Sequence, residues 1–280
     1  MTLILAATPL GNPGDASTRL KSAIANASII AAEDSRRFHR LCADIEVTFT
    51  GRVLSFFEGN EEERSRELLA ELKNGASVLV VSDAGMPTIS DPGFRLMRDA
   101  IAEGIEVSVI PGPSAVTMAV ALSGLPTDRF SFEGFPPRTA GARLATFEKL
   151  RFEERTMVFF EAPHRLVDSL ADCVQVFGAD RQGAICREMT KRYEETIRGT
   201  LSQLASWSSS NEVLGEITIV IAGAATDSAA LTAADMVGRV REFEAAGMDR
   251  KAAIATVADE FGIAKRLVYA AVVDANKMSQ

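Results

Sequence analysis

Histidine and cysteine are scarce in this chain of 280 residues, and the scarcity removes several chemistries at once. The two histidines, His39 and His164, lie far apart, too few and too distant for a zinc centre or a histidine-activated nucleophile. Three cysteines, Cys42, Cys173 and Cys186, are odd in number and lack metal-ligand spacing. That pattern argues against a disulfide scaffold and for a reduced, cytoplasmic protein. No apolar run reaches the length of a membrane span. Met1 to Ala7 lacks the basic flank of a secretion signal and reads as a first strand. Basic charge is not in excess: the formal net charge is −8, the wrong sign for a protein that coats naked nucleic acid, although a local basic patch remains compatible with it. Two nucleotide-binding signatures are missing as well. No G-x-G-x-x-G follows a strand, and no G-x-x-x-x-G-K-[ST] loop occurs.

What is present is an alternation of short apolar runs with helical patterns. Leu3–Ala7, Ser28–Ala32, Val53–Phe57, Ser77–Val81 and Glu106–Ile110 read as strands. Asp15–Asn26, Ser35–Cys42, Glu61–Lys73 and Gly93–Glu103 read as helices between them, and a further helix runs to Ser123. Such alternation predicts an α/β fold with a mainly parallel sheet covered on both faces. Gly124-Leu125-Pro126-Thr127-Asp128 breaks the rhythm and sets a boundary, giving domains 1–123 and 124–223. In the second, strands at Phe130–Glu133, Met157–Glu161, Ala184–Arg187, Glu195–Gly199 and Ile217–Ala222 join helices at Ala142–Leu150, Pro163–Phe177 and Leu201–Trp207. The short connections there predict a mixed sheet. A linker after Gly223 leads to a C-terminal unit, 224–280, with helices at Ala233–Ala245, Arg250–Phe261 and Ala264–Asn276. Asp249 is placed to cap the second of these, and Gly247 and Gly262 to stop the first two. Glu260 to Arg266 resembles the tight connection of a helix-turn-helix, and a small bundle packing on the body fits equally well.

The chemistry concentrates in strand-end loops. Ser82 to Gly93 follows a buried strand directly with carboxylates, glycines and prolines, the way an open α/β sheet builds a ligand crevice beyond its carboxyl edge. Asp83, at the strand end, is the ligand acceptor in this reading; Asp91 is read as the N-cap of the next helix, with Pro92 at its first position. Thr8–Asn12, Ala32–Arg36 and Pro111–Ala115 should emerge on the same edge. The last opens a helix whose free N–H groups suit a polar ligand end.

Those segments, with Gly124–Pro136, Glu161-Ala162-Pro163-His164-Arg165 and Arg187-Glu188-Met189-Thr190-Lys191, resemble the ribosomal RNA small subunit methyltransferase I family of the tetrapyrrole methylase superfamily. The match spans roughly Leu3 to Ala222. The chain departs from the family pattern at Ser35, Phe57, Gly59, Met86 and Met189. The resemblance implies a tetrapyrrole methylase-like fold, two α/β domains with a cleft between them, and a homodimer. It also implies S-adenosylmethionine in the cleft and 2′-O-methylation of a cytidine in 16S ribosomal RNA, free or within the 30S particle. Donor-binding positions carried over are Pro9, Leu10, Asp83, Met86, Ser114, Ala115 and Ala162. Glu33, Glu188 and Lys191 become the candidate catalytic groups, and Arg36 and Arg187 the candidate substrate contacts. Competing readings are a methylase of a corrin precursor and a non-catalytic RNA-binding protein of ribosome assembly.

Overall fold

Aliphatic and β-branched runs form a first sheet whose inner strands are mostly buried, the condition that favours parallel strands. In the computed structural model, which describes residues 2–224, 233–261 and 264–278, the strands are β1 (Thr2–Ala6), β2 (Ile29–Ala32), β3 (Arg52–Ser55), β4 (Ser77–Val81) and β5 (Glu106–Ile110). They lie in the order β3-β2-β4-β1-β5, all parallel, so every carboxyl end reaches one edge. Crossovers run through α1 (Thr18–Asn26), α2 (Ser35–Asp44), α3 (Glu61–Lys73) and α4 (Phe94–Ala102). Leu3, Leu5, Leu68, Val78 and Leu96 pack one face of the sheet; Leu20, Ile24, Ile30, Phe38 and Leu79 pack the other. Each such side chain contributes roughly 1.5–3 kcal/mol by leaving water. Helix α1 starts three residues later than the sequence pattern predicts. Ser17 caps it by accepting from the Leu20 N–H, and Pro13–Asp15 winds into a separate 3-10 turn.

The chain leaves the first sheet through α5 (Ala115–Ser123), which ends at Gly124 in the left-handed conformation. Helix α5 covers a face of the second sheet: Val116, Ala119 and Val120 pack with Val158, Ala184, Cys186 and Val220. That sheet contains β6 (Phe130–Gly134), β7 (Thr156–Glu161), β8 (Gln182–Arg187), β9 (Glu195–Thr200) and β10 (Ile217–Ile221) in the order β6-β7-β10-β8-β9. Only the β6–β7 pair is parallel, so the sheet is mixed as the short connections require. Its other face carries α6 (Ala140–Leu150), α7 (Leu166–Phe177) and α8 (Leu201–Ser210) over a core of Phe147, Phe159, Leu170, Ile185 and Ile219. A buried ion pair, Arg143 Nε to Asp172 Oδ2 at 2.6 Å, ties α6 to α7.

Residues 1–223 form one compact unit and 224–280 a second. In the second, α9 (Ala233–Ala245), α10 (Arg250–Glu260) and α11 (Lys265–Met278) enclose Val237, Val240, Ile254, Val257 and Val268. Asp249 caps α10 by accepting from the Lys251 and Ala252 N–H groups. The linker after Ala224 and the proposed stop at Gly262, with Ile263 of the helix-turn-helix connection, lie outside the described residues.

Candidate functional site

Strands β1 and β4 are neighbours, so the loops that follow them start side by side. Thr8 and Gly85 stitch the two loops together, the Thr8 N–H donating to the Gly85 carbonyl at 2.8 Å and the Gly85 N–H to the Thr8 carbonyl at 3.1 Å. The Thr8 hydroxyl also donates to the Ser82 carbonyl at 3.2 Å. Gly85 sits at φ +82°, and a Cβ there would stand 3.3 Å from Leu10 Cδ2 and narrow the crevice. Beyond these loops opens a cavity of about 400 Å³. The first lobe supplies Leu10, Glu33, Asp83, Met86, Asp91, Ser114 and Ala115 to its wall; the second supplies Phe135, Phe160, Ala162, Met189 and Glu216.

Carboxylates dominate the polar part of that wall. Asp83 Oδ1 accepts the Asp34 N–H at 3.0 Å, and Oδ2 lies 3.3 Å from the Arg37 guanidinium. The Asp83 N–H donates to Glu33 Oε2 at 3.1 Å. Burial pushes both acids above the usual carboxylate range. For Glu33 the Asp83 charge adds to that rise, and the Asp83 N–H and Arg37 oppose it. For Asp83 the Asp34 N–H and Arg37 oppose it.

Asp91 corrects the N-cap reading. Gly93, at φ +122°, occupies the N-cap of α4. The loop turns Asp91 into the cavity wall instead, and burial, reinforced by the charge on Glu33, pushes its carboxyl up to about 7. The backbone explains the turn. Thr88 and Ser90 adopt positive φ, +76° and +62°, a conformation that costs such residues about 1–3 kcal/mol each and persists only where surroundings enforce it. The restraint comes from Glu61 Oε1, which accepts the Gly93 and Arg95 N–H groups at 2.9 and 3.3 Å.

Opposite stands the Glu161–Pro163 segment. The Glu161 side chain is fully buried, accepting from the Ala162 N–H at 2.8 Å and from the Ser169 hydroxyl, with Arg165 Nε at 3.2 Å. These bonds fix the backbone that presents Ala162. At the start of α5, Ser114 makes no side-chain cap, so first-turn N–H groups lack a side-chain partner beside the cavity.

Lys191, Glu188 and Glu216 make a separate ionic cluster at the mouth. Lys191 Nζ is 2.8 Å from Glu188 Oε1 and 3.1 Å from Glu216 Oε2. Burial opposes both charges of the Lys191–Glu188 pair, yet their mutual bond and those to Glu216 outweigh it. The Glu188 carboxyl is held below its ordinary value and the Lys191 ammonium above. Glu188 and Thr190 have positive φ, +49° and +68°.

The expected residues therefore divide. Leu10, Glu33, Asp83, Met86, Ser114, Ala115 and Ala162 share the cavity wall. Pro9 and Arg36 lie instead in an adjoining outer groove with Arg37 and Arg40, where Arg36 pairs with Asp34 at 2.9 Å. Arg187 lines neither space and pairs with Glu195 at 2.8 Å across β8 and β9. Sequence reasoning missed Phe135, Phe160 and Glu216 as wall residues, and named Arg36 as a substrate contact without its neighbour Arg37. Arg37 had a signal, its place in the basic run Arg36-Arg37-Phe38-His39-Arg40; Glu216 had none, since its position depends on β10 pairing between β7 and β8.

A parallel sheet opening at its carboxyl edge onto a second, mixed sheet is the architecture of the tetrapyrrole methylases. The sequence pattern described as Tetrapyrrole (Corrin/Porphyrin) Methylases matches residues 2–205. Among solved structures, the methyltransferase CobJ superimposes with a TM-score of 0.61 at 17% identity, covering 80% of this chain and 94% of that one. A uroporphyrin-III C-methyltransferase of Thermus thermophilus complexed with S-adenyl homocysteine does so with a TM-score of 0.55 at 18% identity, covering 79% and 96%. Within that class the chain belongs to the ribosomal RNA small subunit methyltransferase I family. It is 48% identical over 276 residues to the Mycobacterium tuberculosis protein of that name, covering 98% of this chain and 95% of the relative.

Proposed function

We propose that this chain transfers a methyl group from S-adenosylmethionine to the 2′-hydroxyl of a cytidine in small-subunit ribosomal RNA, acting as a cytoplasmic homodimer. The observation that carries the reading is the acid-lined cavity between the two lobes. Its volume falls within the range of roughly 300–1,000 Å³ usual for small-molecule sites. The residues fit the donor. Leu10, Met86, Ile89, Val116 and Met189 offer apolar surface, Glu33 and Asp83 offer acceptors for amino and hydroxyl groups, and the α5 N-terminus suits a carboxylate. Burial disfavours the charges on Glu33, Asp83 and Asp91, and a cationic ligand would relieve that cost. The relatives' name supports ribosomal RNA as the acceptor.

When bound, the donor supplies an activated methyl group on a sulfonium. What the chain contributes is alignment and control of a proton. The paired loops of Thr8 and Gly85 and the buried Glu161 hold the two walls in register, and such positioning can supply roughly 7–11 kcal/mol of a barrier. Arg36, Arg37 and Arg40 line the adjoining groove, where they can exchange their carboxylate partners for phosphates of a strand.

Purified small subunits lacking the modification, incubated with the protein and radiolabelled donor, should gain label on one cytidine ribose. Label appearing on a corrin precursor and none on RNA would favour the corrin reading. Absence of donor binding in titration calorimetry would leave only an assembly role.

A further inference from the structure

The sequence left open which of the candidate catalytic groups, Glu33, Glu188 and Lys191, receives the proton of the attacking hydroxyl, and offered Glu188 or Lys191 for it. The geometry removes both. Lys191 lies between the carboxylates of Glu188 and Glu216, which hold it protonated, and Glu188 spends Oε1 on Lys191 Nζ and on the Glu216 N–H at 3.0 Å. A base already donating or accepting in this way has little basicity left at neutral pH. Of the carboxylates in the cavity wall, Glu33 accepts the Asp83 N–H, Asp83 accepts the Asp34 N–H and faces Arg37, Glu161 accepts the Ala162 N–H and the Ser169 hydroxyl beside Arg165, and Glu216 pairs with Lys191. Asp91 stands apart. Among the described residues no cation pairs with it and no backbone N–H donates to it.

We propose that Asp91 is the proton acceptor for the attacking hydroxyl, held in the cavity wall by the strained Thr88–Gly93 turn. The inference rests on the methyl-transfer reading above. The hydroxyl oxygen bonds to the methyl carbon, the electron pair of the carbon–sulfur bond returns to sulfur, and the hydroxyl proton passes to the Asp91 carboxylate. Charge balances: one cationic donor and one carboxylate give a neutral thioether and a carboxylic acid. The groups that set the basicity of Asp91 come from three directions: Glu33 after β2, Ser82 and Asp83 after β4, and Glu216 before β10; Arg37 on α2 lines the same cavity and pairs with Asp83. Burial and the three carboxylate charges raise its proton affinity, while the Ser82 hydroxyl lowers it, leaving a group poised at about 7, where a general base works best. The strain at Thr88 and Ser90 also acquires a purpose, because a relaxed turn with Asp91 on the helix cap would leave the wall without a free base.

The test compares wild type with Asp91→Asn and Asp91→Glu on small-subunit particles between pH 5.5 and 9. Wild-type kcat/KM should climb tenfold per pH unit and level off near 7. Asp91→Asn should lower kcat at least about a hundredfold and abolish that limb, with the dissociation constant for S-adenosylmethionine changed less than about threefold; Asp91→Glu should recover part of the rate with a displaced limb. A readout independent of turnover is the carbon-13 carboxyl resonance of Asp91 in the free protein, assigned by its loss in Asp91→Asn. It should titrate near 7. An unchanged pH limb in Asp91→Asn, a loss of donor affinity as large as the loss of rate, or a resonance titrating below 5 would each overturn the proposal. A wild-type protein that binds the donor yet leaves RNA unlabelled would instead defeat the methyl-transfer reading itself, and the assignment of Asp91 with it.

Discussion

The side chain of Lys191 lies across Gly11, so that the turn after β1 and the turn between β8 and β9 touch where glycine leaves room. A Cβ on Gly11 would overlap Lys191 Cγ and stand 2.9 Å from Cε. The contact joins the two lobes at the mouth of the cavity and holds the Nζ against Glu188 and Glu216. Gly11→Ala should therefore displace Lys191. A shift of about 1 Å near a reacting centre can cost up to about a hundredfold in rate, so we expect a loss of tenfold or more in kcat with the melting temperature little changed, measured on purified subunits. Wild-type kcat would show that the contact is idle.

Asp91 also predicts a pH dependence of stability. Its folded-state value near 7 lies above the ordinary 3.8, so the folded protein binds the proton more tightly than the unfolded chain. Stability from this group is complete below about pH 4 and declines as pH rises toward 7. Asp91→Asn should consequently melt higher than wild type at pH 8, and the advantage should vanish at pH 4. Each kcal/mol is worth about 2–4 °C in a chain of this size. Calorimetry at the two pH values decides it; equal melting curves at pH 8 would refute the burial of this charge.

Asp83 ties β4 to the α2 N-terminus through the Asp34 N–H and Arg37. Asp83→Asn keeps an acceptor and loses the charge. Donor binding should weaken by about tenfold or more, as expected for losing a charged hydrogen bond worth roughly 1.5–3 kcal/mol. Titration calorimetry gives the constant directly, and an unchanged value would remove Asp83 from the donor site.

The Arg143–Asp172 pair is buried within the second lobe, with side chains 5% and 14% exposed. Asp172→Ala strands the guanidinium and should destabilise the protein by about 3–5 kcal/mol. Asp172→Ala with Arg143→Met should recover much of that loss. Denaturant unfolding measures both, and a cost below about 1 kcal/mol in the single variant would show that Arg143 finds another partner.

Much of the first sheet was legible because its strands write themselves as short runs rich in β-branched and aliphatic residues between helical patterns. Ser77–Val81 and Glu106–Ile110 fall where the residues place them, and so does α3, with its acidic first turn and Lys73 in its last. The loops after these strands could be named as site loops because parallel pairing sends them all to one edge. Local chemistry misled at Asp91: an acid two residues before a helix beside Pro92 has the pattern of a cap, and only the anchoring of Gly93 and Arg95 by Glu61, from a distant helix, turns it inward. Arg187 was drawn into the site by its neighbours in sequence, yet β8 and β9 pair so that it meets Glu195.

By itself the sequence determined which segments become strands and helices and which turns carry acids and glycines, since these depend on periodicity and local backbone preference; the family came from the resemblance of those turns to known motifs. Tertiary structure decided which carboxylates share a wall and which are neutralised. It did so because strand order and loop anchoring bring Glu33, Asp83, Asp91 and Glu216 around one cavity from three separate stretches of chain, and the cost of burying charge is set by those neighbours and not by any residue alone.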